Sequence, residues 1–514
     1  MFGRVRPGPP FPFRNAPMAV SDAARRIGRL VWPDIRASRG EAALQALEPL
    51  IERFGVGGVI LFGEGMPGNE ALLARLRLMA GPDLLVSSDL ERGCGQQVSE
   101  RSSLPTAMAI AAGGDPSGAF QAGLQTGAEA RAAGIDVVYA PVADVNTAAT
   151  NPIIATRAFG DDPHVVAAYV SAFAAGVREG GALAVGKHYP GHGCTVQDSH
   201  NELARVTHDA EAMEAIDLVP FRTLIAEGVD GLMVGHLEVP ALDPVPGRPA
   251  TISPNVVLDH LRHRLGFNGL VVTDALDMGG FPQEPIAGLD VLQSGHDILL
   301  MPADPLATAE ALLAAHERGH LPDEVLDGAV ARVDAALTTV RGRTPATVTP
   351  ELLTLGETLR AASLTARGPA WTPPTAGQPV DVTLFGDDSS GMVRPAFIEA
   401  LAAHGHASPE GPESVRDAFR VGLVITSVAA WLGSSRLPDA DRRRMDWALQ
   451  NGRLDLVVVL GSPYEALDLP DDQSVLIAYE HTPITAQAAV TALVGAAPAS
   501  GRLPVGPGPV GAGS

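Results

Sequence analysis

The chain has 514 residues, 46% of them hydrophobic, so it can build large cores and is not disordered throughout. Lysine and arginine number 37 against 59 aspartates and glutamates, a net charge of −22. That balance excludes nucleic acid and anionic membrane as main partners, because phosphate binding needs a basic footprint.

Residues 1–17 are rich in arginine and proline and lack a secretory apolar core, so they read as a loose extension, with Met18 as an alternative start. No apolar run reaches the ~18 residues of a membrane span. Cys94 and Cys194 are the only cysteines, too few for a disulfide framework or a cysteine-based zinc site. A cytoplasmic location is therefore expected.

From residue 18 to 342, short β-rich runs alternate with helical stretches. The expected strands are Arg29–Trp32, Gly58–Phe62, Leu84–Ser88, Asp136–Ala140, Leu183–Lys187, Leu232–His236, Leu270–Asp274 and Asp297–Met301. Helical periodicity covers Glu41–Phe54, Asn69–Met79, His164–Arg178, Glu211–Glu227 and Pro254–Leu265. Ser253 suits the start of the last of these and Gly266 its end. Repeated strand–helix alternation predicts an α/β fold with a (β/α)8 TIM-type barrel over 18–342. A doubly wound sheet is the alternative, since periodicity does not show closure. Residues 343–378 read as a linker around a helix at Pro350–Ala366. Residues 379–514 read as a smaller α/β sandwich ending in a Gly/Pro-rich tail over the surface.

Asp89, Asp144, Lys187, His188, His236 and Asp274 fall at or just past strand C-terminal ends, the face where barrel enzymes carry their sites. Strand ends are often polar for solvation alone, but that does not account for Lys-His and Thr-Asp pairs closing strongly apolar runs. Lys187 is the only lysine among the 37 basic residues. Arginine bias could leave one lysine by chance. Its setting favours a position that takes a compact ammonium and not a planar guanidinium.

The densest stretch runs from Ala184 to His200 (AVGKHYPGHGCTVQDSH). Its glycine-rich loop delivers Asp198 and His200 two residues apart. An Asp-x-His pair suits a dyad in which the carboxylate holds one ring nitrogen and the other gives or takes a proton. The bland alternative is a turn-capping aspartate beside a solvated histidine. Asp274 closes Gly269-Leu-Val-Val-Thr-Asp, where a carboxylate can attack an electrophilic carbon. Asp277 is a weaker candidate. Asp89 in Ser-Asp-Leu-Glu and Arg157 in Ala-Thr-Arg-Ala-Phe-Gly complete the set.

Three readings compete. One is glycoside hydrolysis, with Asp274 as nucleophile and His200 as acid/base, and with Asp89, Arg157, Lys187 and His188 binding sugar hydroxyls. The second is a metal-dependent hydrolase liganded by His188, His192, His200 and an aspartate, although no H-x-H stands at a strand end and no HExxH motif is present. The third is a non-catalytic sugar-binding or sensor protein.

The stretches Asn151–Pro163, Lys187-His-Tyr-Pro-Gly-His-Gly193 through Asp198-Ser-His200, and Leu261–Asp274 resemble family 3 glycoside hydrolases, specifically the bacterial β-N-acetylglucosaminidase branch. The resemblance covers about residues 20–340. A weaker one, Val457–Tyr464 and Gly501–Val505, is to the sandwich domain that follows the barrel in many members. The family implies a retaining mechanism with Asp274 as nucleophile, His200 as acid/base and Asp198 orienting it. It implies Asp89, Arg157, Lys187 and His188 as substrate-binding residues, and no cofactor or metal. The implied substrate is terminal β-linked N-acetylglucosamine, typically in peptidoglycan-recycling fragments, for a monomer or homodimer with no nucleic-acid or membrane partner. β-Glucosidase activity is an alternative. So is phosphorolysis, because an imidazole, unlike a carboxylate base, does not repel phosphate. After Asp89-x-Glu91 the family usually reads Gly-Gly-Arg-Val-x-Arg. Here Arg92-Gly-Cys-Gly-Gln-Gln-Val98 stands instead, leaving Arg92, Gln96 or Gln97 to replace a binding arginine.

Overall fold

Short parallel strands between residues 31 and 300 pair into a closed ring. The computed structural model describes residues 20–506 apart from 64, 67–68, 409–416 and 428–435. The expected extension 1–17, Met18 and the tail beyond 506 lie outside the described residues. The strands are β1 (Val31–Trp32), β2 (Asp34–Arg36), β3 (Gly58–Phe62), β4 (Leu85–Ser88), β5 (Val137–Val138), β6 (Leu183–Tyr189), β7 (Ala204–Arg205), β8 (Gly231–Val234), β9 (Leu237–Glu238), β10 (Leu270–Thr273) and β11 (Leu299–Leu300).

Pro33, which has no N–H to donate, separates β1 from β2. β2 pairs with β3, and the sheet continues through β4, β5, β6 and β8 to β10. Val272 of β10 bridges Ile298, and β11 pairs with β1, which closes the barrel. β7 and β9 are extra to the ring. They pair in parallel and tie the loop after β6 to the segment after β8. Apart from Asp34 and Arg36 of β2 and Phe62 of β3, the ring strands are buried residue after residue, as parallel strands covered on both faces require.

Asp162 caps one outer helix, Pro163–Glu179, by accepting from the N–H groups of His164 and Val165. This helix packs on Pro116–Ala132 through glycines. A Cβ on Gly123 would lie 2.1 Å from Phe173 O, and one on Gly176 2.1 Å from Phe120 O, so any side chain there would drive the helices apart. The helix expected over Glu211–Glu227 contains a π turn, Met213–Asp217, before Leu218–Ala226. The one expected over Pro254–Leu265 is π-type over Asn255–Arg264. Ser253 Oγ accepts from Val256 N–H at its start, and Gly266 leaves it at φ +68°.

The helix expected over Pro350–Ala366 breaks into Pro350–Leu353 and Leu355–Ser363, and its end becomes a strand, β12 (Thr365–Arg367). β12 is the antiparallel edge of a second sheet with β13 (Val380–Gly386), β14 (Phe419–Ile425), β15 (Leu456–Leu460) and β16 (Val475–Ala478), in the order β12-β16-β15-β14-β13. Period-2 alternation serves two cores. Val458, Leu460, Leu476 and Ala478 face one with helices Val393–Ala403 and Pro483–Leu493. Val457, Val459, Val475 and Ile477 face another, shared with Met108, Ala109 and Ala112 of the barrel.

The expected surface tail is corrected over residues 501–506, which dock between the two parts. Gly501 and Arg502 donate backbone N–H groups to Leu364 O and Ala112 O, Gly506 N–H binds Asp161, and Val505 is buried. Among the described residues no helix is long and apolar enough to cross a membrane.

Candidate active site

Lys187 and His188 lie near the end of β6, just before Tyr189, and β4 runs into Asp89 and Glu91. Lys187 Nζ lies 2.5 Å from Asp89 Oδ1 and 2.7 Å from Glu91 Oε1, and its side chain is 3% exposed. Arg157 grips Glu91 through Nε and Nη2, at 2.9 and 2.8 Å, in the two-pronged geometry that a guanidinium gives a carboxylate. Arg157 Nη1 also donates to Ile153 O, and Nη2 sits 3.3 Å from His188 Nε2. Two cations and two carboxylates thus interlock across three strand ends. Burial alone would raise the Glu91 pKa, but Arg157 and Lys187 outweigh it and hold the carboxyl well below its usual range. Burial alone would lower the Lys187 pKa, but Asp89 and Glu91 reverse that and raise it.

Asp144, fully buried, organises the next layer. Its Oδ2 is 2.7 Å from His188 Nδ1, and its Oδ1 accepts from His192 N–H at 2.7 Å. Because Arg157 can only donate, His188 Nε2 accepts and the ring proton sits on Nδ1 toward Asp144. His192 lies deeper. Thr195 Oγ1 donates to His192 O, so it accepts from Nδ1–H at 2.6 Å, and Ser199 Oγ donates to Nε2 at 3.0 Å. Burial pushes the His192 pKa down to about 4, so the ring is neutral near pH 7.

This bracket holds the loop of Asp198 and His200. Asp198 Oδ1 accepts from both the N–H and the Nδ1 of His200, at 3.0 and 2.9 Å. Asp198 is 4% exposed and His200 36%, which leaves the histidine's other edge toward solvent. The loop seats on the turn beyond β10, where Gly279 and Gly280 donate to His200 O and Ser199 O at 3.0 and 3.2 Å. A Cβ on Gly280 would meet Ser199 O at 2.9 Å, so only glycine allows this approach.

Asp274 follows β10, and its Oδ1 accepts from Ala275 N–H at 2.9 Å. Burial raises its pKa, but His188, His236, His200 and that N–H outweigh it, holding the carboxyl at about 2. His236 is fixed by Thr251 Oγ1 on Nδ1 and Ala275 O on Nε2, each at 2.9 Å. The carbonyl can only accept, so Nε2 carries the proton.

All seven residues given catalytic or sugar-binding roles from sequence lie at this end of the barrel. Asp89, Arg157, Lys187 and His188 form one network, Asp198 and His200 a dyad, and Asp274 stands in the field of His188 and His200. Sequence reasoning gave no role to Glu91 or Asp144, which hold the network together, although Glu91 stands two residues past the strand-end Asp89. In the 92–98 segment, Gln96 Oε1 accepts from Arg92 N–H and Gln97 Oε1 from Gly63 N–H, whereas Arg92 lines a cavity with Glu91, Arg157 and Thr106. The metal-hydrolase reading needs His188, His192 and His200 on one ion. Among the described residues they form no such group.

Residues 24–336 match the glycosyl hydrolase family 3 N-terminal domain. A β-hexosaminidase of Methylococcus capsulatus is 36% identical over 278 residues, 52% of this chain and 81% of that protein. A protein of Cellulomonas fimi named β-N-acetylglucosaminidase/β-glucosidase is 27% identical over 503 residues, 88% of each chain. A family 3 β-N-acetylglucosaminidase structure from Paenibacillus sp. str. FPU-7 superposes with a TM-score of 0.82 at 28% identity, over 95% of this chain and 99% of that one. These relatives agree with the resemblance drawn from the sequence motifs and with a TIM-type barrel followed by an α/β sandwich. The chain belongs to glycosyl hydrolase family 3 and is a glycoside hydrolase.

Proposed function

We propose that the chain is a retaining β-N-acetylglucosaminidase acting on terminal β-linked N-acetylglucosamine, with peptidoglycan-derived fragments as its substrates in the cytoplasm. The observation that carries the reading is the pairing of a free-edged His200, clamped by Asp198, with an Asp274 whose carboxyl is held at about 2. A carboxylate that stays ionised suits a nucleophile, and an imidazole with one nitrogen committed suits an acid/base. In the first step Asp274 attacks the anomeric carbon while His200 protonates the departing oxygen. In the second, His200 takes a proton from water, and the water displaces Asp274 from the sugar.

Asp89, Lys187, Arg157 and His188 bind the sugar hydroxyls as one pre-set charged array, and Arg92 stands in for the missing family arginine. The array needs no rearrangement, since Glu91 and Asp144 already hold its cations and imidazole. The names of the Methylococcus and Paenibacillus relatives support the acetamido sugar. The double name of the Cellulomonas relative keeps glucosides in the test.

That test is release of p-nitrophenol from the β-N-acetylglucosaminide and the β-glucoside, with Asp274→Asn as control and phosphate varied. Turnover of the acetamido sugar alone, abolished in the variant and indifferent to phosphate, is expected. Preferential cleavage of the glucoside would overturn the substrate. Phosphate stimulation with sugar 1-phosphate as product would replace hydrolysis by phosphorolysis.

A further inference from the structure

Beneath the loop that carries the dyad lies a second group of reactive side chains that the proposed chemistry does not use. Cys194 is in that loop, His208 follows β7, and Asp217 ends the π turn Met213–Asp217. One sulfur, one ring nitrogen and one carboxylate oxygen from these residues all lie within 4.8 Å of one another. His208 Nδ1 is 2.6 Å from Asp217 Oδ2. Asp217 is 0% exposed and Cys194 5%. Asp217 Oδ1 is buried with no hydrogen-bond partner, an expensive state for a carboxylate oxygen away from water. π turns within helices are frequent at functional sites, and this one sets Asp217 at the cluster.

We propose that Cys194, His208 and Asp217 form a site for a borderline-soft divalent cation of the zinc type, separate from the Asp274 pocket. The ligand chemistry makes the choice. A thiolate favours a soft ion, a carboxylate a hard one, and an imidazole lies between, a mixture that suits Zn²⁺ better than Mg²⁺ or Ca²⁺. The charges also balance. One thiolate, one carboxylate and a neutral imidazole cancel a divalent cation, so no net charge is buried. On binding, the thiol proton leaves to solvent, together with any proton on the ligating ring nitrogen. The partly exposed His208 gives a small ion a way in, and three protein ligands leave one position for water. Counting cysteines in the sequence argues against a cysteine-based zinc site. The fold changes that count by adding a histidine and an aspartate to Cys194.

The test uses the full chain after dialysis against a chelator, titrated with Zn²⁺ in competition with a chromogenic chelator. The proposal expects one ion per chain. Affinity should fall at least ~10-fold in Cys194→Ser and His208→Ala, as loss of a ligand requires, and be unchanged in His200→Ala. No binding by the wild type, equal binding by Cys194→Ser, or loss in His200→Ala would overturn it, the last by moving the ion to the dyad. Should the variants misfold, the wild type still decides. Bound Zn²⁺ should slow alkylation of Cys194 at least ~10-fold, because a metal-held thiolate is a poor nucleophile. An unchanged rate would sink the proposal. None of these readouts depends on which glycoside is cleaved.

Discussion

Asp198 Oδ1 holds both the backbone N–H and the ring Nδ1 of His200, at 3.0 and 2.9 Å. One oxygen therefore sets where the loop turns and how the imidazole points. In Asp198→Asn the amide oxygen can still accept both bonds, so the loop keeps its shape, but the negative charge beside Nδ1 is gone. Turnover of substrates with poor leaving groups should fall ~10–100-fold, within the range of acid–base contributions. Activated aryl glycosides need little protonation and should lose less. Equal losses on both would contradict the assignment of His200 as acid.

The Asp274 carboxyl, lifted by burial but lowered further by His188, His236 and His200, ends at about 2. It is therefore ionised in the folded enzyme at any pH above ~3. Asp274→Asn should cut kcat by more than ~10³-fold across the pH range, as loss of a nucleophile does. Any decline of wild-type kcat/KM between pH 7 and 5 must come from other groups. An acid limb that tracks an ionisation of Asp274 itself, followed by NMR, would overturn this.

Two deeply buried histidines make stability depend on pH. Burial lowers the pKa of His192 to about 4 and that of His296 to about 3. In the unfolded chain both take protons near 6.5, so between that value and their folded values the unfolded state binds more protons. Stability is fully present above about pH 6.5 and is lost as pH falls, by ~1.4 kcal/mol per unit for each histidine. The melting temperature should therefore drop from pH 7 to 5. A flat or rising profile over that interval would show that these rings are not held neutral.

The barrel was legible from sequence because its strands are short runs of apolar residues separated by helical periods, and the catalytic-face residues follow those runs directly. Asp274 and Lys187-His188 were found that way. What escaped is how Glu91 and Asp144 act, through partners distant in sequence. Glu91 meets Lys187 and Arg157, and Asp144 meets His188 and His192, contacts that no local spacing encodes. β12 escaped for a different reason. Thr365–Arg367 follows a good helical run, and only the edge of the second sheet, pairing with β16, pulls it into a strand. The docked 501–506 segment is Gly/Pro-rich and reads as tail, yet its backbone fills a seam whose other side is Leu364 and Ala112.

Beside that seam the second domain also touches the barrel close to the proposed sugar-binding residues. Tyr464, from the second domain, has its hydroxyl 2.6 Å from Asn146 Nδ2 and donates to Asn146 O at 3.3 Å. Asn146 Oδ1 in turn accepts from Ala155 N–H at 3.2 Å. Ala155 sits at φ +38°, a conformation that costs a non-glycine residue ~1–3 kcal/mol and must be held by its surroundings. Two residues on is Arg157, the clamp on Glu91. Tyr464→Phe removes the hydroxyl but keeps the ring, leaving buried polar groups of Asn146 short of a partner at ~1–3 kcal/mol. If Tyr464 is a positioning residue, KM should rise several-fold with kcat changed less, because Arg157 loses its seating while Asp274 and His200 keep theirs. A lower melting temperature with unchanged KM would instead mean that the second domain stabilises the barrel without shaping its pocket.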